Sequence, residues 1–448
     1  MHHYIPLTAA QEKTMLELLG LTSVDELFTT IPAQVRAKAS FRWVPHQALS
    51  EHAVVKHLAE LAAENLSTDA AVCFLGGGSY DHFVPSVVRH MLLRSEFYTA
   101  YTPYQPEVSQ GTLQAIFEFQ SVICALTGME LSNASHYDGG TSAAEAALMA
   151  CSQTGRQVVL VSAGVNPRYR AVIGTYLRAA GLGMELVELG EDGRTPVPDA
   201  ARFKDVAGLV VAYPNYFGII EDLARFSAVK GNAVLITVAN PVALGLLRPP
   251  GELGADICVG DGINLGGSLS YGGPGLGFMA VSAKLMRKIP GRIVGQTVDV
   301  DGKLGYVLTL QAREQHIRRQ RASSNICSNQ ALMALAATIH LSLLGKHGLA
   351  KVARACYHNA HYLARRISEN LGLERAHSGP FFNEFALKLP KDPTPVLAGM
   401  ESAGVLAGSL LADDYPRLSN AMLVAVTEKR TKDELDRYVW LLGECHAV

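Results

Sequence analysis

At 448 residues the chain is longer than the roughly 250–300 at which one hydrophobic core stops growing, so two domains and a terminal arm are expected. Hydrophobic residues make up 48% and charged residues 18%, a globular balance with enough apolar surface to favour an oligomer over a monomer. A formal net charge of −2 provides no general basic field and sets aside nucleic acid and anionic membrane as partners.

The first 65 residues read as a helical arm. Thr8 caps a helix running to Leu19, Thr22 and Ser23 precede a short one, and Glu51–Asn65 carries Val54, Val55, Leu58 and Leu61 at helical spacing. No charged and apolar leader opens the chain, and no apolar run reaches the roughly 18 residues that span a bilayer. Ala331–Leu344 is broken by Thr338, His340 and Ser342, so a cytoplasmic protein is expected. Seven cysteines (73, 124, 151, 258, 327, 356 and 445) never fall as CxxC. They read as small core residues in a reducing compartment.

Ala70–Leu75 is a short apolar strand ending in Gly76-Gly77-Gly78, and Pro85 suits the start of the helix that follows. Tyr101–Gly111, YTPYQPEVSQG, is the densest polar and aromatic loop, stiffened by Pro103 and Pro106. Tyrosine hydroxyls on such a backbone suit a small carboxylate or a flat ring, and a packed inter-helix loop is the equal alternative. Gln110–Thr127 is a helix with a core stripe of Leu113, Ile116, Phe117, Ile123 and Leu126. Asp138–Ser142 opens a helix of small residues, and Thr141 and Ser142 stand there either as simple caps or as an anion site.

From Gln157 to Ala280 the runs QVVLV, MELVEL, VAGLVVA, AVLITVA, DICV and GFMAV alternate with helical segments such as Pro167–Ala180 and Glu221–Lys230. Strands apolar on both faces and separated by helices belong to a mostly parallel, covered sheet, so the class is α/β. Asp256–Gly277 packs eight glycines into 22 residues with no lysine, arginine or histidine. Such a loop admits close backbone approach yet offers no reactive group beyond Cys258.

REQHIRRQR reads as a helix around Gln311–Arg321, its arginines 313, 318, 319 and 321 interrupted by Glu314; a solvated or interface helix is favoured over a polyanion patch. Helices follow over Gln330–Leu344 and Leu349–Asn370. EFALKL and AMLVAV then alternate like strands of a half-exposed sheet, and Thr431-x-x-Glu434 starts the last helix with a capping box. The resulting partition is an arm over 1–65, a large domain over 66–325 and a small α/β domain over 326–448. His358 and His361 lie one helical turn apart without a third ligand and read as surface residues. No phosphate-binding P-loop, nucleophile elbow, HExxH or strand-linked GxGxxG is present.

YTPYQPEVSQG, PPGELGADICVGDGINLGGSLSYGGPGLGF and PGRIVG followed by LQAREQHIRRQRASSNICSNQAL resemble, in this order, the amino-terminal half of the glycine-cleavage P-protein, glycine dehydrogenase (decarboxylating). The resemblance spans about 100–330, and the chain length fits the split form, in which two different chains make the halves. It implies the fold-type-I architecture of pyridoxal-phosphate (PLP) enzymes, with a large domain around a mostly parallel sheet, a smaller C-terminal α/β domain and sites near a subunit interface.

In that family the other half carries the lysine that binds PLP, in a motif ending in GGGGPG; Ile263–Gly275 keeps the glycines and lacks the lysine. The strand-end aspartate that pairs with the pyridine nitrogen is likewise replaced here by Thr237, Val238 and Ala239. The resemblance therefore implies a chain with no catalytic residue of its own, working beside a lysine-bearing second P-protein subunit that binds PLP covalently, with two copies of each chain. The implied reaction decarboxylates glycine and passes the aminomethyl group to the lipoyl arm of the H-protein. Tyr101, Thr102, Pro103 and Tyr104 are expected to reach into the partner's site. Arg313, His316, Arg318 and Asn325 are second candidates, for interface contacts or the lipoyl route. A self-sufficient PLP enzyme would need a lysine at another strand end, where Lys230 and Lys284 are the nearest in sequence but sit outside the expected loop. A scaffold or regulator descended from the same fold is the remaining rival.

Overall fold

The computed structural model of the protein describes residues 7–39 and 49–446; residues 1–6 and 40–48 of the expected arm, and the last two of the expected small domain, lie outside it. The chain divides into two compact units, Met1–Leu66 and Ser67–Val448.

The first unit contains α1 (Ala9–Leu18), α2 (Ala33–Lys38) and α3 (Glu51–Ala63). Thr8 caps α1 as anticipated and closes a capping box with Gln11, and Ser50 accepts from the Ala53 N–H to start α3. None of its described side chains is buried. Its helices are therefore held by local caps and backbone bonds rather than by a core.

The second unit begins with β1 (Val72–Cys73), α4 (Ser86–Leu92), α5 (Ser95–Tyr98), α6 (Gln110–Thr127), β2 (Leu131–Ser132) and α7 (Gly139–Thr154). The predicted alternation follows: β3 (Val158–Ser162), α8 (Pro167–Ala179), β4 (Gly183–Val187), β5 (Gly208–Tyr213), α9 (Leu223–Val229), β6 (Val234–Ala239), β7 (Ile257–Asp261) and β8 (Gly277–Val281). These strands form one seven-stranded sheet in the order β2-β8-β7-β6-β5-β3-β4, parallel from β7 to β4 and antiparallel at β8 and β2. Side chains alternate between two buried layers. Val159, Val210 and Ile236 pack with Ile173 and Leu177 of α8, whereas Leu160, Leu209 and Leu235 pack with Phe119 of α6 and Phe226 of α9. Burial on both faces explains why these strands read as unbroken apolar runs.

Beyond the sheet come a hairpin of β9 (Ile293–Val298) and β10 (Leu304–Thr309), the single turn α10 (Gln315–Arg318) and the long α11 (Ala331–Leu371). Last are β11 (Glu384–Lys388), α12 (Thr394–Ser402), β12 (Val405–Leu406), β13 (Ser409–Leu410), β14 (Ala421–Ala425) and α13 (Lys432–His446). β11, β14 and β13 make an antiparallel sheet, and its Phe385 and Leu423 share one buried core with Leu363 of α11 and Leu442 of α13. The strand expected over Ala70–Leu75 shrinks to two residues and pairs in parallel with β12, Val72 opposite Val405.

One helical expectation is corrected. Gln311–Arg321 is not one helix: Leu310 and Arg319 sit at φ of 53° and 52°, and side chains of Arg313 and Arg318 capture the Leu310 and Ala312 carbonyls. Positive φ at non-glycine residues interrupts a helical ladder. The two helices expected after Gln330 are present as the halves of α11, separated at Gly345, whose φ of 58° only glycine adopts readily. One 18-residue window of α11 is apolar enough to cross a membrane by length and composition. Its Ala334, Ala337, Ala360 and Leu363 are buried in the two cores, which makes it a core helix.

Candidate functional site

In a parallel sheet the natural ligand position lies at the carboxyl ends of the strands. Here the ends of β5, β6 and β7 present Ala212, Val238, Ala239 and Asp261 to a cavity of only ≈ 60 Å³. Small-molecule sites run to roughly 300–1,000 Å³. The missing space is taken by the chain itself. Gly77 and Gly78 adopt φ of 75° and 115°, and their carbonyls accept from Asn166 Nδ2 at 2.6 Å and Asn264 Nδ2 at 3.0 Å. From the other side, Glu384 at the start of β11 accepts from the Gly77 N–H at 2.9 Å and from the Tyr80 hydroxyl. The turn Gly76–Tyr80 is thus a plug fastened to both sheets.

Burial pushes the Glu384 carboxyl up to about 7, against the two hydrogen bonds it accepts, which favour its charged form. Between the ordinary carboxyl value of 4.5 and about 7, the folded chain holds a proton that the unfolded chain has lost. Stability is therefore fully present below that window and falls as pH rises through it, by a few kcal/mol at about 1.36 kcal/mol per pH unit. Chemical unfolding of Glu384→Gln at pH 5 and pH 8 should show a smaller loss than the parent chain; equal losses would remove Glu384 as the cause.

The helix start at Thr141 and Ser142 is capped, but by Asp138 rather than by either of them. Asp138 Oδ1 accepts from the Thr141 N–H at 2.7 Å, Asp261 Oδ2 accepts from the Gly139 N–H at 3.0 Å, and the Ser142 hydroxyl donates to the Asp138 carbonyl at 2.8 Å. A Cβ at Gly139 would fall 2.3 Å from the Tyr169 oxygen, so that ring lies directly on the turn. Two carboxylates and a phenol ring occupy the place an anion would take.

Nor is an amine within reach of the cavity. Lys230 and Lys284 both pair with Asp256, Lys230 at 2.7 Å. Asp256 precedes β7, at the opposite end of the sheet from the strand termini. Burial alone would raise the Asp256 carboxyl, but the two lysines bring it below its ordinary value.

The aromatic loop differs from this narrow cleft. Pro103 is buried, Tyr104 N–H donates to the Thr102 carbonyl at 2.9 Å, and the rings of Tyr101 and Tyr104 are 85% and 58% exposed. A cavity of ≈ 300 Å³ lies between Tyr101, Thr102, Pro103 and the start of α11 at Asn329–Leu332. A second, of ≈ 370 Å³, joins Tyr104 to His316, Arg319, Glu314 and Cys327. Arg292 lines the second. Its guanidinium donates to the Cys327 carbonyl at 2.7 Å and to the Tyr104 hydroxyl at 3.1 Å, with its carbon 5.2 Å from the ring centroid.

Of the second candidates, His316 alone reaches this surface. Arg313 turns inward and donates to the Ile289, Gly291 and Leu310 carbonyls, so it clamps the turn rather than meeting a ligand. Arg318 and Asn325 are exposed, and Arg318 Nε is spent on the Ala312 carbonyl. Sequence reasoning missed Arg292, Arg319 and Cys327. The signal for Arg292 was a lone charge between Pro290-Gly291 and an apolar strand. Cys327 is exposed, not core, and His361 is half-buried, stacked 3.9 Å from both Tyr357 and Phe381 rather than on the surface.

A mostly parallel seven-stranded sheet, helices on both faces and a smaller antiparallel sheet behind its strand ends define the fold-type-I architecture of PLP-dependent enzymes. A sphingosine-1-phosphate lyase of Burkholderia pseudomallei superposes with a TM-score of 0.65 at 15% identity, over 93% of this chain and 94% of that one, which concerns fold alone.

The chain belongs to the glycine cleavage system P-protein family, whose model matches residues 2–442. A crystal structure titled glycine decarboxylase (P-protein) of the glycine cleavage system, in inhibitor-bound form, matches with a TM-score of 0.91 and 43% identity over 99% of this chain and 100% of that one. A Moorella thermoacetica protein named "Probable glycine dehydrogenase (decarboxylating) subunit 1" is 53% identical over 441 residues, 97% of this chain and 98% of the relative.

PLP does not fit this chain's own strand-end cleft. The cavity is too small, its walls hold no lysine, its β6 edge is Val238 and Ala239, and its helix N-terminus is filled by carboxylates.

Proposed function

We propose that this chain is the subunit without a PLP lysine in a two-chain glycine-decarboxylating P-protein, where it completes the cofactor site of a lysine-bearing second subunit. The observation that carries this reading is the contrast between a cleft narrowed by the chain's own residues and an exposed aromatic surface. Gly76–Tyr80 and Glu384 fill the chain's own site, while Tyr101 and Tyr104 stand exposed on a proline-stiffened loop braced by Arg292.

In the assembled protein, glycine loses its carboxyl group and the remaining aminomethyl group passes to the lipoyl arm of the H-protein. Bound PLP supplies the electron sink for that chemistry. This chain's part is to bind and to exclude water. The Tyr104 hydroxyl accepts from Arg292 and so keeps its own proton free for a carboxylate, while the ring of Tyr101 and the buried Pro103 cover the site's mouth. His316 and Arg319 line the adjoining cavity and form the approach for the lipoyl arm. Two copies of each chain in the cytoplasm complete this reading.

The test is incubation of the purified chain with PLP, borohydride reduction and mass spectrometry for covalent pyridoxyl, first alone and then with the second subunit. The expected result is no label on this chain, label on the partner, and glycine-dependent carbon dioxide exchange only with both present. Label on this chain alone sinks the proposal; a competent pair without exchange favours the scaffold reading.

A further inference from the structure

Away from the strand-end cleft, three potential metal ligands from distant parts of the chain converge. The turn after Tyr80 contributes His82, the middle of α11 contributes Cys356, and the loop between β14 and α13 contributes Glu428. Their donor atoms all lie within 4.8 Å of one another. His82 Nδ1 is 2.7 Å and Cys356 Sγ 3.3 Å from the same carboxylate oxygen, Glu428 Oε2. The other oxygen, Oε1, is already fixed by the Phe83 N–H at 2.8 Å. Cys356 is fully buried, and the side chains of His82 and Glu428 are 6% and 15% exposed.

We propose that His82, Cys356 and Glu428 form a structural site for a divalent transition metal of the zinc class. The donor set decides the class. A thiolate, an imidazole and a carboxylate are the mixture zinc takes at about 2.0–2.3 Å, whereas calcium and magnesium require oxygen donors. An ion bonded to all three spreads its donors to roughly 3.3–3.7 Å, so the His82–Glu428 contact opens by less than about 1 Å. Charge balances as well: thiolate and carboxylate neutralise one divalent ion, which suits a buried position. Binding releases the Cys356 thiol proton, and any proton on His82, to solvent.

A second observation points to the same place. His340 on α11 is 6% exposed, its Nδ1 has no hydrogen-bond partner among the described residues, and His82 Nε2 is unpartnered too. A buried ring nitrogen without a partner is able to hold a water. Without an ion, Cys356 is an ordinary thiol donor to a histidine–carboxylate pair.

Full-length chain stripped with a chelator and titrated with cobalt(II) is expected to bind one equivalent, with a near-ultraviolet thiolate-to-cobalt band that disappears in Cys356→Ser. Zinc should raise the thermal midpoint of the parent chain. Its affinity should drop about tenfold or more in Glu428→Gln, which keeps the side chain's shape. Failure to bind cobalt and zinc stoichiometrically overturns the site, as does a band that survives Cys356→Ser and vanishes in Cys327→Ser. Should Cys356→Ser not fold, unchanged zinc affinity in Glu428→Gln overturns it equally.

Discussion

Tyr104→Phe in the assembled two-chain protein is expected to lower kcat/KM for glycine by roughly 10- to 100-fold, the loss of one hydrogen bond to a charged group, about 1.5–3 kcal/mol. The hydroxyl is the one atom removed. The ring stays, and with it the contact to the Arg292 guanidinium 5.2 Å from its centroid. Arg292 keeps its 2.7 Å bond to the Cys327 carbonyl, so the loop's position does not depend on the phenol. Because that phenol accepts from a cation at 3.1 Å, its own proton is polarised towards a substrate carboxylate. Urea midpoint and co-purification with the second subunit should be unchanged. A kcat/KM within twofold of the parent removes Tyr104 from the site.

Asp81→Ala should cost about 3–5 kcal/mol of stability, the range for stripping one partner from a buried ion pair. Asp81 is 6% exposed and holds Lys429 at 2.7 Å and Arg430 at 3.1 Å. The Arg430 side chain is only 4% exposed, and its remaining carboxylate, Glu434, is 3.7 Å away. Removing Asp81 therefore leaves a guanidinium out of water with one long contact. Asp81→Asn, which keeps acceptor and volume, should lose less. Equilibrium unfolding in urea measures both, and a loss below about 1 kcal/mol for Asp81→Ala would show that Arg430 finds another partner.

The parallel sheet was legible because its strands are buried on both faces and bounded by helices, which leaves an unmistakable local pattern from QVVLV to GFMAV. α6 was legible to its first and last residue, and the Thr431–Glu434 capping box forms with Glu434 Oε2 accepting from the Thr431 N–H at 2.7 Å. REQHIRRQR misled because helix propensity is a local quantity; there the arginine side chains take the Leu310 and Ala312 carbonyls that a helix would need. In the candidate site, the aromatic loop and the missing lysine could be read directly. Arg292 could not, since its partners Tyr104 and Cys327 lie 188 and 35 residues away.

By itself, then, the sequence determined the α/β class, the order of elements and a glycine-rich segment without a reactive amine, because each depends on residue type and short-range period. Tertiary structure alone decided that the bare segment from Asp256 to Gly277 borders a cleft narrowed by the chain's own residues rather than an empty one. That narrowing depends on Gly77, Asn166, Asn264 and Glu384 meeting across up to 307 residues. It likewise brought His82, Cys356 and Glu428 together. Packing creates such contacts between residues whose spacing along the chain carries no period to read.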